Sequence, residues 1–163
     1  MVRPFHSLPR LSLLRARYAE DADVREKQTI VRSRQQQAPF NPAEMLSGAL
    51  DAFQLSPREV LFREGEQGDR MYVVLEGRVD ILVGDNVVGT ASEGDIVGEM
   101  ALIDDAPRSA SVIANTECRL VGIDRDRFHL LVQRNPAFST HVMKVLANRL
   151  RHMNWLVLAS PKS

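Results

Sequence analysis

The sequence predicts a mainly β fold, a roll, sandwich or jelly-roll-like barrel, with helices at both ends. Three observations predict it. Between Val60 and Ile123 the apolar residues fall in short runs separated by Gly-containing turns. On either side the period changes to the helical one. Both helical segments open with the same device, Asn41-Pro42 and Asn135-Pro136, an Asn cap followed by Pro at the first helical position.

The elements follow in order. After Asn41-Pro42-Ala43-Glu44, the residues Met45, Leu46, Ala49, Leu50 and Phe53 keep helical spacing, so a helix is expected to run to Phe53. Val60-Leu61-Phe62 reads as a strand ended by the turn Glu64-Gly65-Glu66-Gln67-Gly68-Asp69. Met71 to Leu75 reads as a second strand, ended by Glu76-Gly77. Val79, Ile81 and Val83 alternate along a third, and Gly84-Asp85-Asn86 turns it back into Val87-Val88. Glu93-Gly94-Asp95 is another turn, and Ala110–Ala114 and Arg119–Ile123 are two further strands. Asp124 to Arg134 reads as a short helix with Phe128, Leu131 and Val132 on one face. A last helix, from Asn135-Pro136 to about Leu158, carries Met143, Leu146, Leu150, Met153 and Val157 in an a/d-like seam.

Composition narrows the function. The 163 residues are 44% hydrophobic and 26% charged, as in an ordinary globular domain. Lys plus Arg and Asp plus Glu are both 21, so the net charge is zero, which argues against a chain built to neutralise nucleic-acid phosphates. The single cysteine, Cys118, excludes an intrachain disulfide framework and a multi-cysteine zinc site. His129, His141 and His152 lack paired metal spacing, so no metal is expected. No Ser-His-Asp or Cys-His arrangement is evident and the strands contain no His, so no catalytic residue is assigned and the chain is not read as an enzyme. No apolar run is long enough for a membrane span.

Charge is unevenly distributed. Residues 1–40 carry eight basic and four acidic residues and so are +4. The first 18 contain four Arg and no acid, which suits a flexible or helical basic arm or, alternatively, an organelle presequence. Pro39 and Pro42 mark a boundary. The expected organisation is a basic extension over 1–40 and a folded domain over 41–163, in the cytoplasm or, on the presequence reading, in an organelle.

One stretch breaks the strand pattern: Gly98-Glu99-Met100-Ala101-Leu102-Ile103, then Asp104-Asp105-Ala106-Pro107-Arg108-Ser109-Ala110. Glu99–Ile103 can form one helical turn, and Pro107 fixes the loop that delivers Arg108 just before a strand. An Arg with backbone N–H groups and a Ser hydroxyl nearby suits a phosphate. Glu99 would repel that phosphate, but it can accept from a sugar hydroxyl a few ångströms away. A compact ligand with one phosphate and one ribose matches both groups.

The stretch resembles the phosphate-binding cassette of the cyclic nucleotide-binding domain, and Val60–Asp69 and Met71–Gly77 resemble that family's first strands and turns. The resemblance covers about residues 41–158. It implies a β-roll with an N-terminal helix and a C-terminal helical pair, and cAMP or cGMP as ligand. It implies that Arg108 pairs with the cyclic phosphate and that Glu99 accepts from the ribose 2′-hydroxyl. Gly98, Met100, Ala101, Ser109 and Ala110 would complete the cassette, and Arg108 would serve the ligand rather than the fold. Alignment of the last helix puts Met153 and Asn154 at the purine. Asn154 can hydrogen-bond a base and Met153 cannot, so purine choice stays open, although Ser109 leans towards cAMP. Arg58 stands where the family often has Gly.

Only five residues follow Leu158, too few for a helix-turn-helix, so no DNA contact is expected unless the chain is a fragment. The expected role is a regulatory module that signals through its last helix to an unknown effector, with a possible homodimer through residues 143–158. The alternative is a ligand-free interaction or dimerisation module on the same fold.

Overall fold

Residues 39–159 are described by a computed structural model. Of the basic extension expected over 1–40, residues 1–38 lie outside the described residues, as do residues 160–163. Asn41 caps the first helix, α1 (Pro42–Leu46), by accepting from the Ala43 N–H at 2.9 Å. The helix is shorter than expected. It closes at Ser47, whose N–H bonds Glu44 O, and Leu50 is fully exposed. Phe53, expected as its last apolar residue, instead opens strand β1 (Phe53–Leu55). Gly48 weakens the helix, and antiparallel pairing of Phe53, Gln54 and Leu55 with Leu120, Arg119 and Cys118 satisfies their backbone in the sheet.

Seven more strands follow: β2 (Val60–Phe62), β3 (Arg70–Glu76), β4 (Arg78–Val83), β5 (Asn86–Ser92), β6 (Ile96–Val97), β7 (Ser111–Ala114) and β8 (Cys118–Asp124). They form two four-stranded antiparallel sheets, ordered β1-β8-β3-β6 and β2-β7-β4-β5. β6, which the sequence reading did not isolate, is a two-residue edge strand on β3. The β4–β5 hairpin turns on Gly84-Asp85, with Gly84 at φ 57° and Val83 facing Asn86. Arg58 also holds a left-handed backbone, φ 72°, where a Gly would be unstrained.

The pleat of β3 divides the core. Met71, Val73 and Leu75 point one way and pack with Ile96, Val121, Ile123, Leu46 and Phe138. Tyr72 and Val74 point the other way, into the roll, with Leu55, Phe62, Val97, Val112 and Leu120. Cys118 is buried there, its thiol donating to the Arg78 carbonyl at 3.0 Å.

A short helix, α2 (Glu99–Ile103), interrupts the strands between β6 and β7. Two helices end the domain. Asp124 caps α3 (Arg125–Arg134) by accepting from the Arg127 N–H at 2.8 Å. Asn135 accepts from the Ala137 N–H at 3.1 Å at the start of α4 (Pro136–Ala159). Phe138 and Val142 of α4 are buried, and Val145 and Leu146 pack against the same core. Of the expected seam only Leu146 does so; Met143, Leu150, Met153 and Val157 are exposed. No described helix is long and apolar enough to cross a membrane.

Candidate functional site

Two charged residues are buried among the described residues, Glu99 at 2% exposure and Arg108 at 5%. Both come from the cassette. A mutual surface salt bridge between them is therefore not the arrangement found.

Arg108 is placed by its backbone first. Its N–H bonds Glu66 O and its carbonyl accepts from Gly65 N–H, both at 2.8 Å, so the cassette loop is tied to the β2–β3 turn. The guanidinium then runs inward. Nη1 donates to Gly98 O at 2.9 Å and Nη2 donates to Arg70 O at 2.8 Å. Its Cζ lies 4.1 Å from the Phe62 ring centroid and 5.9 Å from that of Tyr72. Arg108 thus also serves the fold, contrary to the expectation from sequence. Burial lowers its pKa, while Tyr72, Asp69, Glu66 and Glu99 act in the opposite direction. A buried cation with incomplete compensation is stabilised by a further anion.

Two glycines make room for it. A Cβ at Gly68 would lie 2.4 Å from Arg108 Cζ, and one at Gly98 would lie 2.4 Å from Nη1. Gly98 is also the N-cap of α2, with a left-handed φ of 76°. At both positions a Cβ would force the Arg108 guanidinium to shift.

Glu99, the first residue of α2, points into the domain. Its Oε1 accepts from Nη1 of Arg149, which also donates through Nη2 to Ile96 O. Glu99 Oε2 and Arg108 Nε have no hydrogen-bond partner, and they are the only such buried side-chain polar atoms among the described residues. One is an acceptor and the other a cationic donor, so the cassette can serve a ligand with both a hydroxyl and an anionic group.

The remaining expected residues sort by exposure. Ala101 is buried and packs α2 onto the domain. Met100 is exposed, and its sulfur lies 3.7 Å from the Ser109 hydroxyl. Ser109 is exposed and Ala110 half-buried as the chain enters β7. Met153 and Asn154 are exposed on α4, one turn beyond Arg149. It is Arg149, not either of them, whose side chain bonds the cassette from α4. Sequence reading missed Arg149, Phe62, Tyr72 and Gly68. A signal for Arg149 existed: it continues the core-facing positions Phe138, Val142, Val145 and Leu146, where a charge is out of place. Among the described residues no group of His, Cys, Asp or Glu could hold a metal ion.

Comparison with known proteins bears on the family and the fold. Residues 52–135, more than half of the chain, match the cyclic nucleotide-binding domain. The chain belongs to that family. It is 35% identical over 99 residues to the CRP-like cAMP-activated global transcriptional regulator of Mycobacterium tuberculosis, an alignment covering 58% of this chain and 44% of the relative. It spans less than half the length of the curated relatives it matches. Among solved structures it is similar to the Thermus thermophilus catabolite activator protein, with 25% identity, TM-score 0.58, and 65% and 52% of the two chains covered. It is likewise similar to PKAR CBD2 bound to Sp-2Cl-cAMPS, with 25% identity, TM-score 0.59, and 77% and 84% covered.

Proposed function

We propose that this domain binds a cyclic nucleotide, cAMP or cGMP, at Gly98–Ala110 and acts as a regulatory module rather than an enzyme. The observation that carries the reading is the pair of unpartnered buried atoms, Arg108 Nε and Glu99 Oε2. Arg108 supplies charge for the cyclic phosphate, and Glu99 supplies an acceptor for the ribose 2′-hydroxyl. Gly98 and Gly68 keep the guanidinium in place, and Ser109 offers a hydroxyl at the open side. The cAMP-activated relative and the cAMP-analogue-bound structure support the same ligand class.

Transmission runs through α4. Arg149 joins Glu99 to the helix, so a ligand hydroxyl that engages Glu99 alters the balance of that ion pair. Met153 and Asn154 lie one turn further on, where the purine is expected. The exposed seam of Met143, Leu150, Met153 and Val157 favours a second copy of the chain as partner, with an effector protein reading the result in the cytoplasm.

The test is a comparison of ribose and 2′-deoxyribose cyclic nucleotides. Removing the hydroxyl leaves a buried carboxylate without its donor, so the deoxy ligand binds at least about tenfold more weakly. Equal affinity for the two contradicts the role of Glu99, and binding of neither contradicts the whole reading in favour of a ligand-free interaction module.

A further inference from the structure

A second concavity lies outside the cassette. It is a cleft of about 320 Å³ whose lining includes Phe53, Leu61, Tyr72, Gly122, Arg70 and Asp51. Its size falls at the lower end of small-ligand pockets. Gly122 keeps one wall open. It faces Tyr72 across the β3–β8 pair, so β8 places no side chain against the Tyr ring, whose neighbours are Phe53 and Phe62. A Cβ at Gly122 would lie 3.3 Å from Arg70 Cδ and 3.6 Å from Tyr72 Cε1. The opening is flanked by β1 and β2, each an edge strand of its own sheet.

The walls select for an aromatic ring. Phe53 and Tyr72 stand nearly perpendicular, 80° apart with centroids at 6.0 Å, presenting one face and one edge to the same space. The rim carries both signs, with Asp51 and Arg70 in the lining, and Arg70 is its cationic donor. Arg70 spends Nε and Nη2 on Asp69, leaving Nη1 on the side of Gly122. Arg127 donates Nη1 both to Asp51 and to the Gly122 carbonyl. In each ion pair the carboxylate is the more exposed partner, so the guanidinium is the inner charge. Burial raises the Tyr72 phenol pKa and keeps it a donor.

We propose that this cleft is a second ligand site, taking a small single-ring aromatic carboxylate with its ring beside Gly122 and its carboxylate on Arg70. The proposal uses no residue of Gly98–Ala110, but Tyr72 and Arg70 also border Arg108, so nucleotide affinity is measured in the same variants to tell its failure from that of the nucleotide reading.

The experiment is an NMR titration of the full chain with 4-hydroxyphenylacetate, with uncharged p-cresol as the comparison probe. Saturable shifts centred on Phe53, Leu61, Tyr72 and Gly122 are expected, with affinity roughly tenfold weaker for p-cresol and for Arg70→Met. Gly122→Val fills the cleft and abolishes the shifts. Leu61→Trp, filling it from the opposite wall, serves the same purpose if Gly122→Val does not fold. No saturable shift at about 10 mM probe, shifts centred on Gly98–Ala110 instead, or unchanged affinity in both Arg70→Met and the filled variant would overturn the proposal.

Discussion

Arg149 of α4 donates to the buried carboxylate of Glu99, 50 residues away in sequence, and ties the long helix to the ligand cassette. The same guanidinium holds the Ile96 carbonyl in β6, so the helix, the edge strand and the cassette meet at one side chain. A group that engages Glu99 therefore acts at an ion pair that joins α4 to the roll.

Loss of that pair should be felt before any ligand is added. Arg149→Ala leaves Glu99 buried without its counter-charge and should cost about 1–3 kcal/mol of stability. The melting temperature of the free protein should fall by several degrees, whereas Arg151→Ala, on the exposed side of α4, should change it little. An unchanged melting temperature for Arg149→Ala would show that the pair contributes nothing in solution.

Arg108 has two duties, and its variants should separate them. Arg108→Ala removes the cation expected to meet the phosphate, a loss of about 3–5 kcal/mol if the pair is shielded from water, or roughly 10²- to 10³-fold or more in affinity. It also removes the bonds to Gly98 O and Arg70 O, so the free protein should melt lower as well. Arg108→Lys keeps the charge but not the planar fork, so it should recover only part of the affinity. Titration and melting of both variants without nucleotide distinguish the duties. Wild-type affinity in Arg108→Ala would place the phosphate elsewhere.

The glycine cradle gives a subtler test. Gly68→Ala sets a methyl group 2.4 Å from Arg108 Cζ, so the guanidinium must move. Affinity should fall by about tenfold, some 1.4 kcal/mol, although no charge or hydrogen-bonding group has been removed. Gly84→Ala, in the β4–β5 hairpin, is the contrast, because its Cβ meets nothing within 4 Å and only its left-handed φ of 57° is strained. Equal loss of affinity in the two variants would show that backbone strain, not displacement of Arg108, is responsible.

These residues differ in how far they could be read from sequence. Arg108 and Glu99 were legible because a loop of fixed length with Gly98 before and Pro107 within it brings the two chemistries together locally. Arg149 was not, because its partner is contributed by a distant turn, and only its position on an otherwise apolar helix face hinted at burial. Phe53 was misread for a related reason. Its spacing from Met45, Leu46 and Ala49 suits a helix, and only the tertiary pairing with Leu120 makes it a strand residue. β6 has two residues and no periodicity to detect. The hairpin at Gly84 and the capped starts at Asn41 and Asn135 were legible because their chemistry is local.

Hydrogen exchange tests transmission. Nucleotide should raise protection over residues 98–110 and also change it over 143–158, since a ligand shifts a conformational equilibrium only through differential contacts. Protection confined to 98–110 would mean that α4 is not the reporting element.

The exposed apolar side chains of α4 should report on self-association. Leu150→Glu places a charge in the middle of the seam, which a two-helix contact would bury. Sedimentation should show a wild-type dimer that the variant converts to monomer. A monomeric wild type at high concentration, with and without nucleotide, would contradict the homodimer.

If Arg108 and Glu99 form a cyclic nucleotide site, titration calorimetry of the full chain with cAMP and with cGMP should read it out. Saturable one-to-one binding of at least one of them is expected. At a concentration 100 times the dissociation constant that ligand should add about 2.7 kcal/mol of stability, and Arg108→Ala should abolish or greatly weaken the heat. No heat and no stabilisation with either nucleotide at millimolar concentration would contradict it.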